Sequence, residues 1–570
     1  MAGMDRGEFI AAARGDAPAD LLLRNCRLVN VFSGEVVRCD LAVKGGLVLG
    51  WGDYRARQEI DLKDLFVAPA FIDGHMHVES SMVQVSELAR ALVPRGTAAI
   101  VTDYHEIANV LGVEGIEYMI AAGEGLPLRV WVMLPSCVPA TPMETAGAEL
   151  GPGDLEPLLA RPQVMGLGEM MNFPGVVNAF PDVLAKLELA GDRPVDGHAP
   201  GLEGLALNAY SGAGVSSDHE CVRLEEAAEK LARGMFVMIR EGSTARNLEA
   251  LLPLAKSTSG RRCLLVTDDR HPADLLEGGH LDAVMRKAVS LGLDPVTALR
   301  MATLNPAERF GLPRRGALAP GYHADLVVLE DLESFRALRV MKGGEWVAEN
   351  GELLEREMPA PPPLRSTVRI AWEKIPGIEV KAEGGSMRVI GLVPDQIITR
   401  DLRMEPRVEG GLAVADTSRD LLKICVFERH RGTGNVGVGF VQGFGLREGA
   451  LASTVAHDSH NVVAVGAADE DILAAARALE SLGGGQVVVK RGMVVAELPL
   501  PIAGLMSDRP LQEVATEVRG VNQAARVLGC GVAEPFMALS FLALPVIPDL
   551  KMTDRGLFDV NAFSHVNLFG

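Results

Sequence analysis

Short apolar runs alternate with amphipathic stretches through the first half of the chain, a pattern typical of alternating strands and helices. Eight of these runs have the length of a strand, and they cover residues 66–77, 98–103, 129–135, 164–170, 194–198, 215–220, 236–241 and 264–268. Helical spacing is clear at 224–233 and 281–291. Because such alternation produces a parallel sheet and eight units close a barrel, the pattern predicts a (β/α)8 barrel over residues 69–316.

An open, doubly wound sheet is the alternative fold for the same pattern. It requires a reversal of strand order and usually a glycine-rich phosphate-binding turn. The sequence has no convincing GxGxxG motif, so we favour the barrel.

Two distant β-rich segments flank the predicted barrel, at residues 1–68 and 317–355. The first contains the hairpin signal Gly45-Gly46. Neither segment is long enough to form a domain alone, so together they predict a composite β-sandwich built from both flanks. A Pro-rich linker at 356–364 then leads into a predicted extra C-terminal α/β domain at 365–570, in which Asp469–Leu482 has a clear helical pattern.

Composition narrows the classes of partner. The 570 residues carry a formal net charge of -20, which argues against nucleic acid or an anionic membrane as the main partner. The seven cysteines are scattered and never spaced as CxxC, so we expect a reducing, cytoplasmic setting. The N-terminus lacks the apolar stretch of a signal peptide, and no apolar run is long enough to span a membrane. A homo-oligomer, dimer or larger, is expected only by analogy with other barrels.

Metal-binding residue types end five of the predicted strands. They are His75, His77, Glu169, His198, His219 and Asp268. Positions i and i+2 of a strand point to the same side, so the imidazoles of His75 and His77 can face one cation. Because the carboxyl ends of barrel strands meet at one face, these six side chains predict a two-metal hydrolytic site.

Two carboxylates in this set have distinct expected roles. Glu169, midway round the barrel, can bridge two cations. Asp268, at the last strand end, can hold the attacking water, take its proton and pass it to the leaving group. Asp269 is a rival for that role, because the end of a predicted strand is uncertain by a residue or two.

Further polar residues lie near the same predicted edge. Asp103 and His105 are expected to share a strand face, where they bind substrate or a weak extra metal, or support the histidine pair. Glu79, Glu241 and His105 are candidate proton donors, and Arg240-Glu241 is either an internal ion pair or a contact to a ring nitrogen of a substrate. In the C-terminal segment, residues 456–461 (AHDSHN) either cover the barrel mouth or form a polar turn, and the turn is slightly favoured.

Several longer motifs resemble the amidohydrolase superfamily and, within it, the bacterial adenine deaminase family. They lie at residues 72–82, 105–110, 166–175, 196–201, 217–220 and 267–274, with 457–461 and 542–554 in the C-terminal segment. The similarity covers essentially the whole chain. HxH alone would indicate only the superfamily.

The resemblance implies hydrolytic deamination of adenine to hypoxanthine and ammonia, as in purine salvage. It implies two divalent metal ions, manganese or ferrous iron, with zinc also compatible. By position in the motifs, His75, His77, Glu169, His198 and His219 are expected as ligands, with Asp268 as ligand and proton shuttle. One alternative is a cyclic-amide hydrolase of the same superfamily, although Glu169 stands where those enzymes use a carboxylated lysine. A non-catalytic barrel scaffold is the other.

Overall fold

Eight parallel strand positions form a closed barrel in the computed structural model, which describes residues 5–256, 258–358, 361–393 and 396–570. The barrel strands, first to eighth, are Phe71–His77, Thr97–Asp103, Arg129–Leu134, Val164–Met170, Val195–Gly197, Ser217–Asp218, Phe236–Arg240 and the interrupted strand Cys263–Val266 with Asp268–Asp269. The eighth strand pairs in parallel with the first, Asp268 opposite Met76, and this pairing closes the barrel. Between the fifth and sixth strands, Ser216 N–H donates to the carbonyl of Val195 (3.1 Å), and the Ser217 hydroxyl donates to Asp196 Oδ1 (2.6 Å).

The predicted strand at 66–77 is in fact two strands that belong to different sheets. Phe66–Pro69 pairs antiparallel with Leu326–Leu329, whereas Phe71–His77 is the first barrel strand. At Ala70 the backbone N–H donates to the carbonyl of Asp325, and at Phe71 it donates to Gly96. One continuous apolar run therefore hides the change of pairing partner.

Helices surround the barrel in the order expected for βα units. They are Val85–Leu92, His105–Leu111, Val113–Ala122, Pro152–Leu155, Phe173–Val177, Pro181–Ala190, Gly204–Gly212, Leu224–Ala232, Leu248–Ala255, Pro272–Glu277, Leu281–Ser290, Pro295–Met301 and Leu304–Arg309. The predicted helices at 224–233 and 281–291 each end within one residue of the observed ones. Their apolar faces bury Ala227, Val284 and Met285 against the strands.

A single nine-stranded sheet combines both flanking segments. Its order is Glu352–Leu353, Glu345–Glu349, Ala337–Lys342, Leu326–Leu329, Phe66–Pro69, Ala19–Asn30, Glu35–Lys44 and Leu47–Trp51, with Ala56–Asp61 beside Ala19–Asn30. Leu28, Val67 and Leu326 share one buried cluster, so neither flank has a complete core without the other. A short helix, Arg6–Ala13, precedes the sheet.

The C-terminal segment is centred on an eight-stranded sheet. Its order is Thr399–Met404, Met387–Leu392, Val436–Gln442, Leu421–Phe427, Val462–Gly466, Ala450–Ser453, Gly485–Lys490 and Met493–Pro499. Two three-stranded sheets accompany it, formed by Val380–Lys381, Leu412–Val414 and Arg407–Glu409, and by Leu550–Thr553, Gly556–Asp559 and Ser564–His565. The helices are Asp469–Leu482, at the predicted bounds, Leu511–Val527 and Pro535–Phe541.

The C-terminal domain packs directly on the barrel mouth. Ser507 N–H donates to the carbonyl of Met82 (2.8 Å), and Gln84 N–H donates to that of Ser507 (3.1 Å). Thr145, on a loop after the third barrel strand, donates from its backbone N–H and its hydroxyl to Asp554 (2.9 and 2.7 Å). In the predicted linker at 356–364, residues 359 and 360 lie outside the described residues. Among the described helices, none has the length and apolar character needed to cross a bilayer.

Candidate metal centre at the barrel mouth

Glu169 lies at the centre of four histidines. His75 and His77 are at the carboxyl end of the first barrel strand, and His198 and His219 directly follow the fifth and sixth strands. Its Oε1 is 2.8 Å from His77 Nε2 and 3.4 Å from His75 Nε2. Its Oε2 is 2.7 Å from His198 Nδ1 and 3.3 Å from His219 Nε2. Each carboxylate oxygen therefore faces one pair of imidazoles, which is the arrangement needed to bridge two cations.

Asp268 completes the group from the eighth strand. Its Oδ1 is 3.6 Å from His75 Nε2 and 3.4 Å from His77 Nε2. Its backbone has a φ of 57°, in the left-handed region that a non-glycine residue rarely adopts. Such strain persists where the surroundings impose it, and it is often found at functional sites. The strained turn separates Asp268–Asp269 from Cys263–Val266 and directs the Asp268 carboxylate towards the histidine pair.

The donor set fits divalent cations by its chemistry and by its unpaired atoms. His75 Nε2 and Glu169 Oε1 are buried and have no hydrogen-bond partner among the described residues. Buried polar atoms without partners are costly, and a cation between these two would satisfy both. Burial opposes ionisation of Glu169, yet the nearby imidazoles of His219 and His77 hold the pKa of its carboxyl well below its usual range. The centre therefore presents charged carboxylates to an incoming cation.

Arg240 and Glu220 form a charged pair behind Asp268, and sequence reasoning assigned no such role to either. An Arg240 N–H donates to Asp268 Oδ2 (2.8 Å), and two others donate to the Glu220 carboxylate. Glu220 Oε1 is 3.6 Å from His219 Nε2. The predicted Arg240–Glu241 ion pair is wrong, because Arg240 turns towards Asp268 instead. The Ser217–Glu220 motif contained the only sequence signal for Glu220.

Asp103 supports the centre through the backbone. Its Oδ2 accepts from Glu169 N–H (2.8 Å), and its Oδ1 accepts from His105 N–H (3.0 Å). The prediction that Asp103 and His105 share a strand face is wrong: the strand ends at Asp103, and His105 begins the helix His105–Leu111. The Asp103 carboxylate thus links the second strand to the fourth and fixes where Glu169 points.

Gly168 is required by the same contact. A Cβ at this position would lie 1.7 Å from Asp103 Oδ2. We expect Gly168→Ala to lower the free energy of unfolding by about 2 kcal/mol, and to reduce turnover at least about tenfold, because Asp103 and Glu169 must both shift. Thermal unfolding and steady-state assays measure these effects. Gly153→Ala is the matched control, since a Cβ there meets only open space; equal behaviour of the two variants would contradict this role.

The remaining predicted residues lie at different distances from the centre. Glu79 is buried, its Oε1 accepts from Ile107 N–H (3.3 Å), and its Oε2 has no partner among the described residues. Burial is the main reason that the pKa of Glu79 is raised to about 7. The Asp269 carboxylate accepts from the Ser80 hydroxyl. Glu241 is not brought into the centre, because its carboxylate pairs with Lys287 and accepts from Leu248 N–H (3.3 Å).

The C-terminal segment 456–461 covers the barrel mouth, so the favoured interpretation as a simple polar turn is wrong. His457 and His460 are buried and both contact Glu106, at the start of the helix after the second strand. Asn461 Nδ2 donates to the carbonyl of Thr145 (2.8 Å). The sequence marked these residues as polar groups between apolar runs but did not indicate their partner, which lies about 350 positions away.

Comparison with known proteins follows the same division of the chain. The amidohydrolase family model matches residues 66–347, and the adenine deaminase C-terminal domain model matches residues 396–564. Adenine deaminase from Desulfatibacillum aliphaticivorans is 50% identical over 565 residues, which are 99% of this chain and 99% of that protein. This chain belongs to the adenine deaminase family. A second member, from Syntrophobacter fumaroxidans, is 51% identical over 567 residues, 98% of each chain.

The adenine deaminase family assignment extends over both the barrel and the C-terminal domain. Adenine deaminase from Methanothrix thermoacetophila is 48% identical over 568 residues, again 99% of both chains. A solved adenosine deaminase from Xanthomonas campestris with bound zinc covers 60% of this chain and 95% of its own, at 14% identity and a TM-score of 0.44. The family therefore rests on the full-length relatives, and the solved structure adds nothing to it.

Proposed function

We propose that this chain hydrolyses adenine to hypoxanthine and ammonia at the centre around Glu169. The observation that carries the proposal is the convergence of four imidazoles and two carboxylates from five strand positions of the barrel. Each imidazole has a nitrogen within 3.6 Å of a carboxylate oxygen of Glu169 or Asp268. Membership of the adenine deaminase family over the full length supports adenine as the substrate.

Two divalent cations fit this donor set. His75 and His77 with Asp268 would hold one, His198 and His219 the other, and Glu169 would bridge them. Imidazoles and carboxylates without thiolate accept manganese, ferrous iron or zinc, and we favour manganese or ferrous iron. When bound, such a pair supplies hydroxide at neutral pH, because it lowers the pKa of a shared water towards about 7.

The chain's own residues carry the protons in this reaction. Asp268 takes the proton of the attacking water and passes it to the exocyclic amine at C6, which leaves as ammonia. Arg240 donates to Asp268 Oδ2 and orients the carboxylate for the first of these transfers. Of the candidate donors to ring nitrogen N1, Glu241 is engaged elsewhere. Glu79 Oε2 and His105 Nδ1 both lack a hydrogen-bond partner among the described residues, and Glu79 is the one of the two that lines a cavity beside the centre.

A substrate panel tests the function. Protein grown with manganese and an iron chelator is expected to contain two metal equivalents per chain and to release ammonia from adenine. Removal of metal with a chelator should lower this rate at least about 100-fold, and added manganese should restore it. Ammonia release, ring opening of hydantoin and metal content are the three measurements.

The alternatives correspond to other results of the same panel. Ring opening of hydantoin without ammonia release from adenine would support a cyclic-amide hydrolase and contradict the proposal. No turnover of any substrate after manganese loading would support a non-catalytic scaffold. The oligomeric state, the cytoplasmic location and the exact domain boundaries stay predictions.

A further inference from the structure

A narrow cavity lies between the barrel mouth and the C-terminal domain, and each contributes half of its lining. The barrel side begins with Glu79 and Ser80, directly after the ligand His77, and includes Glu106. The C-terminal domain contributes Val455, His457, His460, Leu505 and Met537. The lining combines apolar side chains such as Leu505 and Met537 with convergent polar groups such as Glu79, Glu106 and His457, a combination found in small-molecule sites. The cavity lies beside the metal centre, and its volume of about 10 Å³ is that of a single water, so a purine ring that reaches it must widen it.

Glu106 holds the two histidines of the C-terminal domain in different ways. His457 Nδ1 is 2.7 Å from Glu106 Oε1, and His460 Nε2 contacts Glu106 Oε2. His460 Nδ1 also accepts a hydrogen bond from Ala456 N–H (3.1 Å), so the proton of a neutral His460 must be on Nε2, where it is donated to Glu106. Both nitrogens of His460 are therefore in use, and its role is to hold the loop.

This arrangement of protons argues against a third cation at the cluster of Glu106, His457 and His460. A cation bound by His460 would need the lone pair of Nε2, and Nδ1 would then carry the proton. Nδ1 already faces the N–H of Ala456, and two hydrogens cannot share that contact. The cluster is consistent with one carboxylate accepting from two imidazoles.

His457 differs from His460 because one of its nitrogens is free. Its Nδ1 is held by Glu106, whereas its Nε2 makes no hydrogen bond to a described residue. The ring stacks on Phe541, with 5.0 Å between centroids and 26° between planes, so its orientation is set by packing. A donor fixed in this way on the wall of the cavity is preorganised for a ligand.

We propose that His457, from the C-terminal domain, contacts the substrate and donates a hydrogen bond from Nε2 to a ring nitrogen of the purine. The proposal rests on the proposed deamination of adenine, and it makes the C-terminal domain part of the catalytic site. Burial opposes protonation of His457, but the charge of Glu106, with Asp269 and Asp458 adding to it, raises its pKa to about 9. A protonated imidazole has a hydrogen on both nitrogens, one for Glu106 and one for the cavity.

A hydrogen-bond donor at this position can stabilise charge that develops on the purine ring during the reaction. Adenine has three ring nitrogens that accept hydrogen bonds, N1, N3 and N7. When hydroxide adds at C6, negative charge develops on the ring, and a donor aimed at a ring nitrogen is then more strongly bound than in the ground state. His457 is expected to act on kcat as well as on KM.

Two substitutions separate the two nitrogens of His457. In His457→Asn the amide reaches the position of Nδ1, so the contact with Glu106 is kept and the cavity donor is lost. In His457→Gln the amide reaches towards Nε2, so the cavity donor is partly replaced and the contact with Glu106 is lost. We expect kcat/KM on adenine to fall roughly 10- to 100-fold in His457→Asn and less in His457→Gln. His565→Asn is the matched control, because His565 is exposed in the same domain.

Deaza analogues of adenine distinguish a substrate contact from a purely structural role. Binding of adenine, 3-deazaadenine, 7-deazaadenine and 1-deazaadenine is measured for the wild type and for His457→Asn. Deamination rates are added for the compounds that react, and 1-deazaadenine is used only as a ligand. If Nε2 donates to one ring nitrogen, the analogue that lacks this nitrogen should bind the wild type more weakly than adenine does. In His457→Asn, which has lost the donor, the same analogue should bind about as well as adenine. If His457→Asn weakened the binding of adenine and of every analogue by the same factor, the proposal would be overturned.

Metal content and wild-type turnover complete the test. Wild type and His457→Asn should both hold two metal equivalents, and loss of a third equivalent in the variant would overturn the proposal in favour of a cation site. Absence of adenine turnover in the wild type would instead refute the proposed function. Normal turnover by the wild type together with an unchanged kcat/KM in His457→Asn would refute only the role of His457.

Discussion

Replacement of Asp268 by asparagine is expected to lower turnover of adenine by about 10³- to 10⁴-fold. The amide keeps the size of the side chain and the hydrogen bond from Arg240, but it cannot accept the proton of the attacking water. His75, His77 and Glu169 are unchanged, so at least one metal equivalent should remain. Steady-state ammonia release and elemental analysis of the same preparation measure both outcomes.

Asp269→Asn is the matched control for this experiment. Asp269 is the next residue in the chain, and its carboxylate accepts from Ser80 rather than facing His75. We expect its turnover to change less than about tenfold, a loss that fits one hydrogen bond. Near-normal turnover of Asp268→Asn would refute the assignment, whereas a large loss in Asp269→Asn alone would move the role by one residue.

The second large effect is expected for Glu169→Gln. Glu169 is the group that lies within 3.4 Å of nitrogens from all four histidines, and it provides the negative charge between the two cation positions. Glutamine has one oxygen and no charge, so it cannot bridge. We expect metal content to fall from two equivalents to one or fewer, and turnover to fall at least about 10³-fold.

Glu188→Gln controls for the same chemical change on the exposed face of the helix Pro181–Ala190. It should leave metal content and turnover within experimental error of the wild type. If Glu169→Gln kept two metals and most of its activity, the bridging role would be wrong. If it lost both metals but bound them again at high manganese with normal turnover, Glu169 would contribute affinity alone.

The strand ends could be read from local patterns, and this explains why the ligand candidates were found. Burial on both faces makes parallel strands appear as short apolar runs, and the polar residues within the first few positions after each run lie at the carboxyl edge. In a barrel all such edges meet at one face. His75, Glu169, His198 and Asp268 follow this rule, and the structure brings them together.

Residues whose roles depend on a second element could not be read in this way. Asp103 was expected to bind substrate or a weak extra metal, or else to support the histidine pair, and its carboxylate accepts from the backbone N–H of Glu169, a contact that none of these expectations named. Arg240 was expected to pair with its neighbour Glu241, and it pairs with Glu220 and Asp268. A sequence pattern shows that a side chain is polar and near a strand end, but several partners are then equally close along the chain.

The sequence by itself determined the barrel, the composite sheet and the family of chemistry, because periodicity of burial and spacing of ligand types are local properties. Only the tertiary structure decided what lies over the barrel mouth. Glu106 meets His457 and His460 from a domain that begins about 250 residues later, and this contact depends on how the surfaces of the barrel and the C-terminal domain pack. Surface complementarity between distant segments leaves no periodic signal in the chain, so it appears only once both domains are in place.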